Sequence, residues 1–326
     1  MRDQIITHAD IRHFAETRVN LPSDRVSRYR EQVNNMREEL TRHIRDNPGF
    51  GLVKILNAGS VAKGTALSTI NDLDAAVYVQ KDQTPGDESD MVQWIGERLR
   101  EVYPQKDPGD FDTSLSHCVR IHFRVSGLYV DVVPVLYEGD ENDYGYLVDK
   151  YTGERLLTSI PLHLEFIRKR KASNLEHLTQ VVRLVKWWAD RLKDENRAFK
   201  CKSFLLELLV IRMVDAGEDL SDYPRALERF FSYIVKTGLE ERVAFDDYYP
   251  NSDLPAPTGD AIEVFDPVNP ANNVTVRYSV HDRNALVEAA EDAADAIREA
   301  AYATTGKRAT ELWQTVLGSS FRGRRT

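Results

Sequence analysis

The segment from Leu56 to Val79 constrains the chain more than any other, because it sets a Gly-Ser pair ahead of two aspartates within an apolar run. Residues 53–58 have the composition of a short apolar strand. Gly59 permits a tight turn into a helical segment, whose free backbone N–H groups and dipole favour an anion. Ser60 adds a hydroxyl donor at the same place. The pattern predicts a phosphate-binding turn that follows a strand.

Two aspartates at alternate positions come next. Asp72 and Asp74 begin a second predicted strand that continues over residues 75–79. Because strand side chains alternate between the two faces of a sheet, residues i and i+2 project to the same side. Two carboxylates on one face can share a divalent cation. The Asp-Leu-Asp triplet alone is equally compatible with a solvated strand edge.

A third carboxylate interrupts the apolar strand predicted over residues 128–136. Burying the charge of Asp131 in this setting is costly unless something neutralises it. If this strand lies near that of Asp72, at the usual spacing of about 5 Å or one strand further, the three carboxylates converge. Two Mg²⁺ ions roughly 4 Å apart fit such a site, and Mg²⁺ prefers the oxygen ligands that aspartates supply. Alone, Asp131 is equally compatible with a structural acid whose charge is satisfied.

Composition limits the possible classes of function. The chain of 326 residues exceeds a typical single domain, and its 42% hydrophobic residues are ample for a core. A net charge of -9 argues against nonspecific nucleic-acid binding and does not indicate a nucleic-acid activator, although a local basic patch stays open. Cys118 and Cys201 lack paired spacing, so neither a disulfide framework nor a zinc site is predicted. The absence of an apolar leader or a membrane-spanning run predicts a cytoplasmic protein.

Local periodicity predicts several elements around these aspartates. Residues 23–46 carry an apolar stripe at helical spacing, which predicts one long amphipathic helix. Residues 119–125 alternate apolar with polar, mostly basic, side chains, as in a half-buried strand. A turn at Ser126 and Gly127 would pair this strand with the one that contains Asp131.

The predicted secondary structure changes near Pro161. Beyond this residue the periodicity is helical, and the segment 203–214 is apolar almost all round, which predicts a buried helix. The predicted fold class is therefore α/β (α+β) and bilobal, with residues 1–160 forming a sheet-containing core that includes the long N-terminal helix. Residues 161–326 are predicted to form a helical lobe.

These residues together resemble a known signature. Gly59-Ser60, eleven intervening residues, Asp72-Leu-Asp74 and the later Asp131 resemble the polymerase-β-type nucleotidyltransferases. Further similarity, to the oligoadenylate synthases and the cGAS/DncV-like nucleotidyltransferases, lies in residues 59–65, 186–188, 202–207 and 266–274. The resemblance runs from about Asp10 to Phe321. It is greatest to the CdnC-like bacterial clade that makes cyclic trinucleotides in CBASS anti-phage defence, and it implies a polymerase-β-type core sheet with a helical lobe that closes the nucleotide site.

The resemblance assigns nucleotide-binding roles to three residues of the helical half. Lys186 matches a lysine that contacts the nucleotide triphosphate, whereas periodicity alone favours a solvated lysine. Ser203 matches a serine that meets a phosphate, and it would also cap the buried helix. Phe204 stands where related enzymes often carry a base-stacking tyrosine, so stacking is expected without a hydroxyl contact. Gly59 and Ser60 are predicted to bind the nucleotide from the other half.

The resemblance implies a metal-dependent nucleotidyltransferase that uses ATP, with or without a second NTP. Asp72, Asp74 and Asp131 would be both catalytic residues and ligands of two Mg²⁺ ions, with Mn²⁺ as an alternative. The expected product is an adenine-rich cyclic trinucleotide second messenger. Two alternatives stay open: a linear oligoadenylate synthase or other small-molecule or RNA-end nucleotidyltransferase, and a catalytically inactive partner-binding scaffold.

The protein partners expected for this chain are implied only by its resemblance to this clade. A HORMA-like regulator, an AAA+ remodeller and a nuclease effector that reads the product are expected on this ground, and no membrane association is expected. No residue of the sequence establishes these contacts, nor the base composition, linkage or ring size of the product.

Overall fold

The computed structural model describes residues 5–47, 51–70, 72–84, 86–174 and 177–323. The chain divides into two compact units. The first comprises residues 21–167, and the second joins the segment that ends at Asn20 to the chain from Arg168 onward. This division falls a few residues after the predicted boundary at 160/161. It also groups the first twenty residues with the C-terminal half rather than with the sheet-containing core.

The chain alternates strands and helices in its first half and is mainly helical in its second, so the predicted mixed α/β class is confirmed. The strands are β1 (Leu52–Ala58), β2 (Asp72–Gln80), β3 (Phe111–Asp112), β4 (Val119–Phe123), β5 (Leu128–Tyr137), β6 (Gly145–Val148), β7 (Arg155–Thr158), β8 (Phe265–Asp266) and β9 (Asn269–Asn273). The helices are α1 (His8–Phe14, continued by a π-helical turn over Ala15–Val19), α2 (Ser23–Asp46), α3 (Gly59–Lys63), α4 (Met91–Val102), α5 (Ile160–Asn174), α6 (His177–Glu195), α7 (Ser203–Asp215), α8 (Tyr223–Thr237), α9 (Val280–Tyr302) and α10 (Gly306–Leu317).

One sheet organises the first unit. Its main strand order is β1-β2-β5-β4-β3, and β6 and β7 extend from the far end of β5. Strands β2 and β5 run parallel, whereas the other neighbours are antiparallel. A parallel pair needs a long crossover, and here the crossover contains α4 and the strands β3 and β4.

The core of this unit lies on one face of the sheet. Helices α2 and α4 contact each other and the sheet, and the odd-numbered residues of β2 from Leu73 to Val79 point into this core. Helix α2 matches the predicted bounds of 23–46 and buries its apolar stripe, which consists of Tyr29, Val33, Met36, Leu40 and Ile44. Asp72 and Asp74 therefore project from the opposite face of β2. Toward its far end that face is covered, with Ala76 and Tyr78 buried in a smaller apolar cluster.

The second unit is built around α7, which is buried on nearly all sides as its apolar sequence predicted. Helix α8, which periodicity reasoning did not predict, packs against α9. The segment 266–274, predicted as a supporting loop, includes β9 and the last residue of β8, which pair as a two-stranded hairpin. Asn273 Oδ1 accepts hydrogen bonds from the backbone of Val264 and Thr275, so its role is structural. Within the described ranges, no helix has the length and apolarity needed to cross a membrane.

Candidate active site

The sheet register brings the three aspartates together. In the parallel pairing of β2 with β5, Asp74 lies directly beside Asp131, and Asp72 lies beside Tyr129. All four residues are at positions of the same parity in register, so they share one face of the sheet. The strand of Asp131 is thus the immediate neighbour of the strand that contains the other two aspartates.

The turn after β1 lies against Asp74, one of these carboxylates. Ala58 pairs with Asp74 in the antiparallel register of β1 and β2, and α3 begins at the next residue, Gly59. Gly59 has φ 66°. A Cβ atom built on it would overlap with Asp74 Oδ2 and lie 2.6 Å from Asp74 Cγ. Only glycine fits here, both because of the left-handed backbone and because of the carboxylate. Ser60 follows as a half-buried residue of α3.

Asp74 is held in an unfavourable electrostatic position. Burial, followed by the negative charges of Asp131 and Asp72, raises the pKa of Asp74 to about 6, above the usual range of an aspartate. Lys63 and Arg120 lower this pKa only in part. A cation that neutralised the carboxylates would remove the repulsion and restore the ionised form of Asp74.

Arg120, which the sequence reasoning did not single out, contacts this cluster. It pairs with Asp131 across β4 and β5, and its Nε and Nη2 donate to Asp131 Oδ1 and Oδ2 at 2.7 and 2.8 Å. Its Nη2 also lies 3.8 Å from Asp72 Oδ2. Counting outward from a two-residue turn at Ser126 and Gly127 would place His122 opposite Asp131. In the observed register Phe123 pairs with Leu128, which brings Arg120 opposite Asp131 instead.

The donor set fits a hard divalent cation. The three carboxylates supply only oxygen atoms, and the raised pKa of Asp74 marks a place where added positive charge would be stabilising. Among the residues that the structure describes, no three His, Cys, Asp or Glu side chains are arranged as a ready set of metal ligands. Both oxygens of Asp131 accept hydrogen bonds from the Arg120 guanidinium.

The remaining predicted residues belong to the second unit. Lys186 on α6 is only 6% exposed, so the alternative of a solvated lysine is wrong. Ser203 is the first residue of α7, and Lys202 occupies the N-cap position without a side-chain capping bond, so the predicted serine cap is not present. Ser203 and Phe204 are both half-buried. Gly59, Ser60 and the three aspartates are brought together in the first unit, whereas these three residues form part of the second.

Positive charge collects at the start of α7. Burial, then the charges of Arg277 and Lys200, lower the pKa of Lys202. Lys202 Nζ donates to the carbonyl of Val274 at 2.8 Å, which fixes its stem beside the helix start. Positive charge beside the N-terminus of a helix favours an anion there. The sequence motifs did not predict this group of cations, because residues 202–207 served there only as part of the family resemblance.

Comparison with known proteins gives consistent matches along the chain. The family of the Second Messenger Oligonucleotide or Dinucleotide Synthetase domain matches residues 6–170. A cyclic AMP-AMP-AMP synthase of Escherichia coli strain MS 115-1 is 42% identical over 323 residues, which are 99% of this chain and 100% of that protein. A CBASS oligonucleotide cyclase CdnC of Escherichia coli strain KTE188 is 28% identical over 326 residues, 97% of this chain and 98% of that protein.

Solved structures of the first relative match the fold. The structure of E. coli MS115-1 CdnC with ATP has a TM-score of 0.90 at 42% identity, covering 98% of this chain and 100% of that one. The complex of the same protein with HORMA-deltaN has a TM-score of 0.89 at 43% identity, covering 97% of this chain and 98% of that one.

These matches confirm the resemblance inferred from the Gly-Ser pair and the three aspartates. The matched family region contains Gly59, Ser60, Asp72, Asp74 and Asp131, the residues that the sheet brings together. Nucleotidyltransferases of this family depend on metal ions. The chain belongs to the second messenger oligonucleotide or dinucleotide synthetase family, and it is a nucleotidyltransferase.

Proposed function

We propose that this nucleotidyltransferase joins three adenylates from ATP into a cyclic trinucleotide that serves as a second messenger in CBASS anti-phage defence. The observation that carries the reaction type is the register that sets Asp74 beside Asp131 with Asp72 on the same face. Adenine and a ring of three are proposed from the 42% identical cyclic AMP-AMP-AMP synthase. A linear product and an inactive scaffold are not favoured, because the carboxylates are retained and that full-length relative makes a cyclic product.

In each transfer, a ribose hydroxyl oxygen of the acceptor forms a bond to the α-phosphorus of ATP. The bond from that phosphorus to the bridging oxygen breaks in line, and pyrophosphate leaves. Asp131 accepts the proton of the attacking hydroxyl. Asp72, Asp74 and Asp131 would hold two Mg²⁺ ions, or Mn²⁺, and the bound metal would supply charge neutralisation at the attacking and leaving oxygens. The final transfer is intramolecular and closes the ring.

Other residues are proposed to position the nucleotide. Gly59 and Ser60 bring backbone N–H groups and a hydroxyl to a phosphate at the start of α3, next to Asp74. Lys186, which is 6% exposed, and Ser203 are assigned to the triphosphate because they match the family residues that contact it. Phe204 stacks on the base, and stacking on an aromatic ring does not by itself select adenine.

Product analysis tests the proposal. Purified protein is incubated with the four NTPs and Mg²⁺, with and without a HORMA-domain partner, and products are treated with phosphatase before mass spectrometry. We expect a phosphatase-resistant cyclic triadenylate, because a ring has no terminal phosphate. A ladder of phosphatase-sensitive linear oligomers would contradict cyclisation but leave nucleotidyl transfer standing. No pyrophosphate release under either condition would contradict the reaction itself.

A second measurement addresses the triphosphate site. Lys186→Ala and Ser203→Ala are each expected to weaken ATP binding by roughly 1–3 kcal/mol, because each removes a charge-assisted phosphate contact. Calorimetry with a nonhydrolysable ATP analogue and Mg²⁺ measures the change. Lys193→Ala is the matched control, since Lys193 lies on the same helix and pairs with Asp190 at 3.0 Å. Wild-type affinity in both variants would exclude these residues from nucleotide binding.

The proposed partners rest on different grounds. The E. coli MS 115-1 relative forms a complex with HORMA-deltaN, and we propose that a HORMA-domain regulator binds this chain too. The AAA+ remodeller, the nuclease effector and a cytoplasmic location stay predictions from the resemblance and the sequence. Co-purification of this chain with a HORMA-domain protein tests the proposed regulator.

A further inference from the structure

One positive side chain lies among the three carboxylates. Arg120 is held in register opposite Asp131 by the β4–β5 hairpin, and its guanidinium makes two parallel bonds to that carboxylate, at 2.7 and 2.8 Å. The side chain of Arg120 is 36% exposed and that of Asp131 is 14% exposed, so the pair is partly shielded from water. Tyr129 supports the guanidinium, whose carbon lies 5.7 Å from the centre of the ring.

The arrangement differs from an ordinary strand-to-strand ion pair because a further carboxylate adjoins it. Asp72 Oδ2 lies 3.8 Å from Arg120 Nη2, and the charge of Arg120 also lowers the pKa of Asp74. The guanidinium thus acts on carboxylates of both β2 and β5. Its positive charge offsets their negative charges, as the charge of a bound cation would.

A metal ion and Arg120 would compete for Asp131. The bidentate bond uses a lone pair on each carboxylate oxygen, so a metal that binds Asp131 must either share an oxygen with the guanidinium or displace one of its N–H donors. The positive charge of Arg120 also repels an incoming divalent cation at short range. In return, the ion pair keeps Asp131 oriented toward Asp72 and Asp74 when no metal is bound, and limits the repulsion among the three acids.

We infer that Arg120 is a positioning residue that serves as an internal counter-ion of the carboxylate cluster and sets its affinity for divalent cations, an inference that rests on the metal site of the proposed function. Arg120 holds Asp131 in place before metal binds, and metal binding proceeds by partial release of this pair. The residue therefore weakens metal binding in exchange for a preformed, less repulsive site.

Calorimetric titration of the full chain with Mn²⁺ tests this inference. Arg120→Met keeps an unbranched apolar stem but removes the guanidinium and its charge, and we expect it to bind Mn²⁺ on the order of tenfold more tightly than wild type. Arg120→Lys keeps the charge and should stay near wild-type affinity. The matched control is Arg124→Met, because Arg124 lies on the same side of the hairpin but pairs with Asp107 and Asp110, at 2.5 and 2.7 Å.

A second readout separates positioning from a purely structural role. In chelator, Arg120→Met should melt below wild type, since three acids lose their counter-ion, and saturating Mn²⁺ should raise its melting temperature by more than that of wild type. If Arg120 formed only a structural ion pair, its replacement would lower the melting temperature by the same amount in chelator and in saturating Mn²⁺. If Arg120→Met does not fold, Arg120→Gln, which is neutral but keeps an N–H donor, takes its place in the same comparison.

The Mn²⁺ titration distinguishes a failure of the inference about Arg120 from a failure of the proposed function. If wild type binds no Mn²⁺ and Arg120→Met binds none either, the metal site itself is wrong. If wild type binds Mn²⁺ and Arg120→Met binds it with equal or lower affinity, the metal site stands and the inference about Arg120 is overturned. A gain of equal size in Arg124→Met would also overturn it, because the effect would then be one of general surface charge.

Discussion

Replacing Asp72 and Asp74 together with Asn is expected to reduce the rate of product formation by roughly a hundredfold or more, because the loss of two shared anionic ligands forfeits several kcal/mol of transition-state stabilisation. Both carboxylates lie on the face of β2 that adjoins Asp131. Asn keeps the shape of each side chain and removes its charge. Pyrophosphate release and product formation from ATP and Mg²⁺ measure the effect.

The matched control is the double variant Asp82→Asn with Asp90→Asn, in which two exposed acids outside the site are neutralised. This variant should retain wild-type activity, which shows that a change in net charge is not the cause. Undiminished synthesis by the Asp72 and Asp74 variant would contradict the assignment of these residues as metal ligands.

The stability of the same variant has a predicted sign. The pKa of Asp74 is raised to about 6 in the folded protein, so the folded state favours the protonated acid. Stability from this group is present at low pH and is lost as the pH rises from about 4 through 6. In chelator above pH 6, the Asn variant should therefore be as stable as wild type or more stable, by up to roughly 3 kcal/mol. Denaturant unfolding at pH 4 and pH 7.5 measures this, and a lower stability at pH 7.5 would indicate that the variant disturbs the fold.

Replacing Gly59 with Ala is expected to lower activity by about a hundredfold, because misplacing a catalytic group by even 1 Å costs on this order. The added methyl group would overlap with Asp74 Oδ2, so either the carboxylate or the start of α3 must move. The left-handed backbone of Gly59 adds a stability cost of about 1 kcal/mol or more.

Gly153→Ala separates these two effects. Gly153 has φ 71°, close to that of Gly59, but a Cβ atom there would meet nothing within 4 Å. Both variants should lose similar stability from backbone strain in thermal or denaturant unfolding, and only Gly59→Ala should lose activity. Equal activity in the two variants would mean that Asp74 tolerates the displacement or takes no part in the reaction.

The local features of this site could be predicted from the sequence, because each depends on residues that are close together along the chain. Alternation places Asp72 and Asp74 on one face of a strand, and the apolar stripe of residues 23–46 predicts helix α2 with its observed bounds. The turn at Ser126 and Gly127 pairs β4 with β5 in the predicted hairpin. The order of motifs was also sufficient to predict the family, which the comparisons confirm.

Only the tertiary structure decided which distant residues meet. No local sequence pattern predicts that β5 lies directly beside β2 and parallel to it. The pairing of these separated strands is set by their packing against α2 and α4 and by the crossover that connects β2 to β5. The same pairing decides that Gly59 abuts Asp74 and that Arg120 reaches Asp72. Burial of Lys186 and the grouping of the first twenty residues with the C-terminal half likewise depend on long-range contacts. Periodicity reports which face of an element is apolar, whereas the partner of that face is chosen by the whole chain.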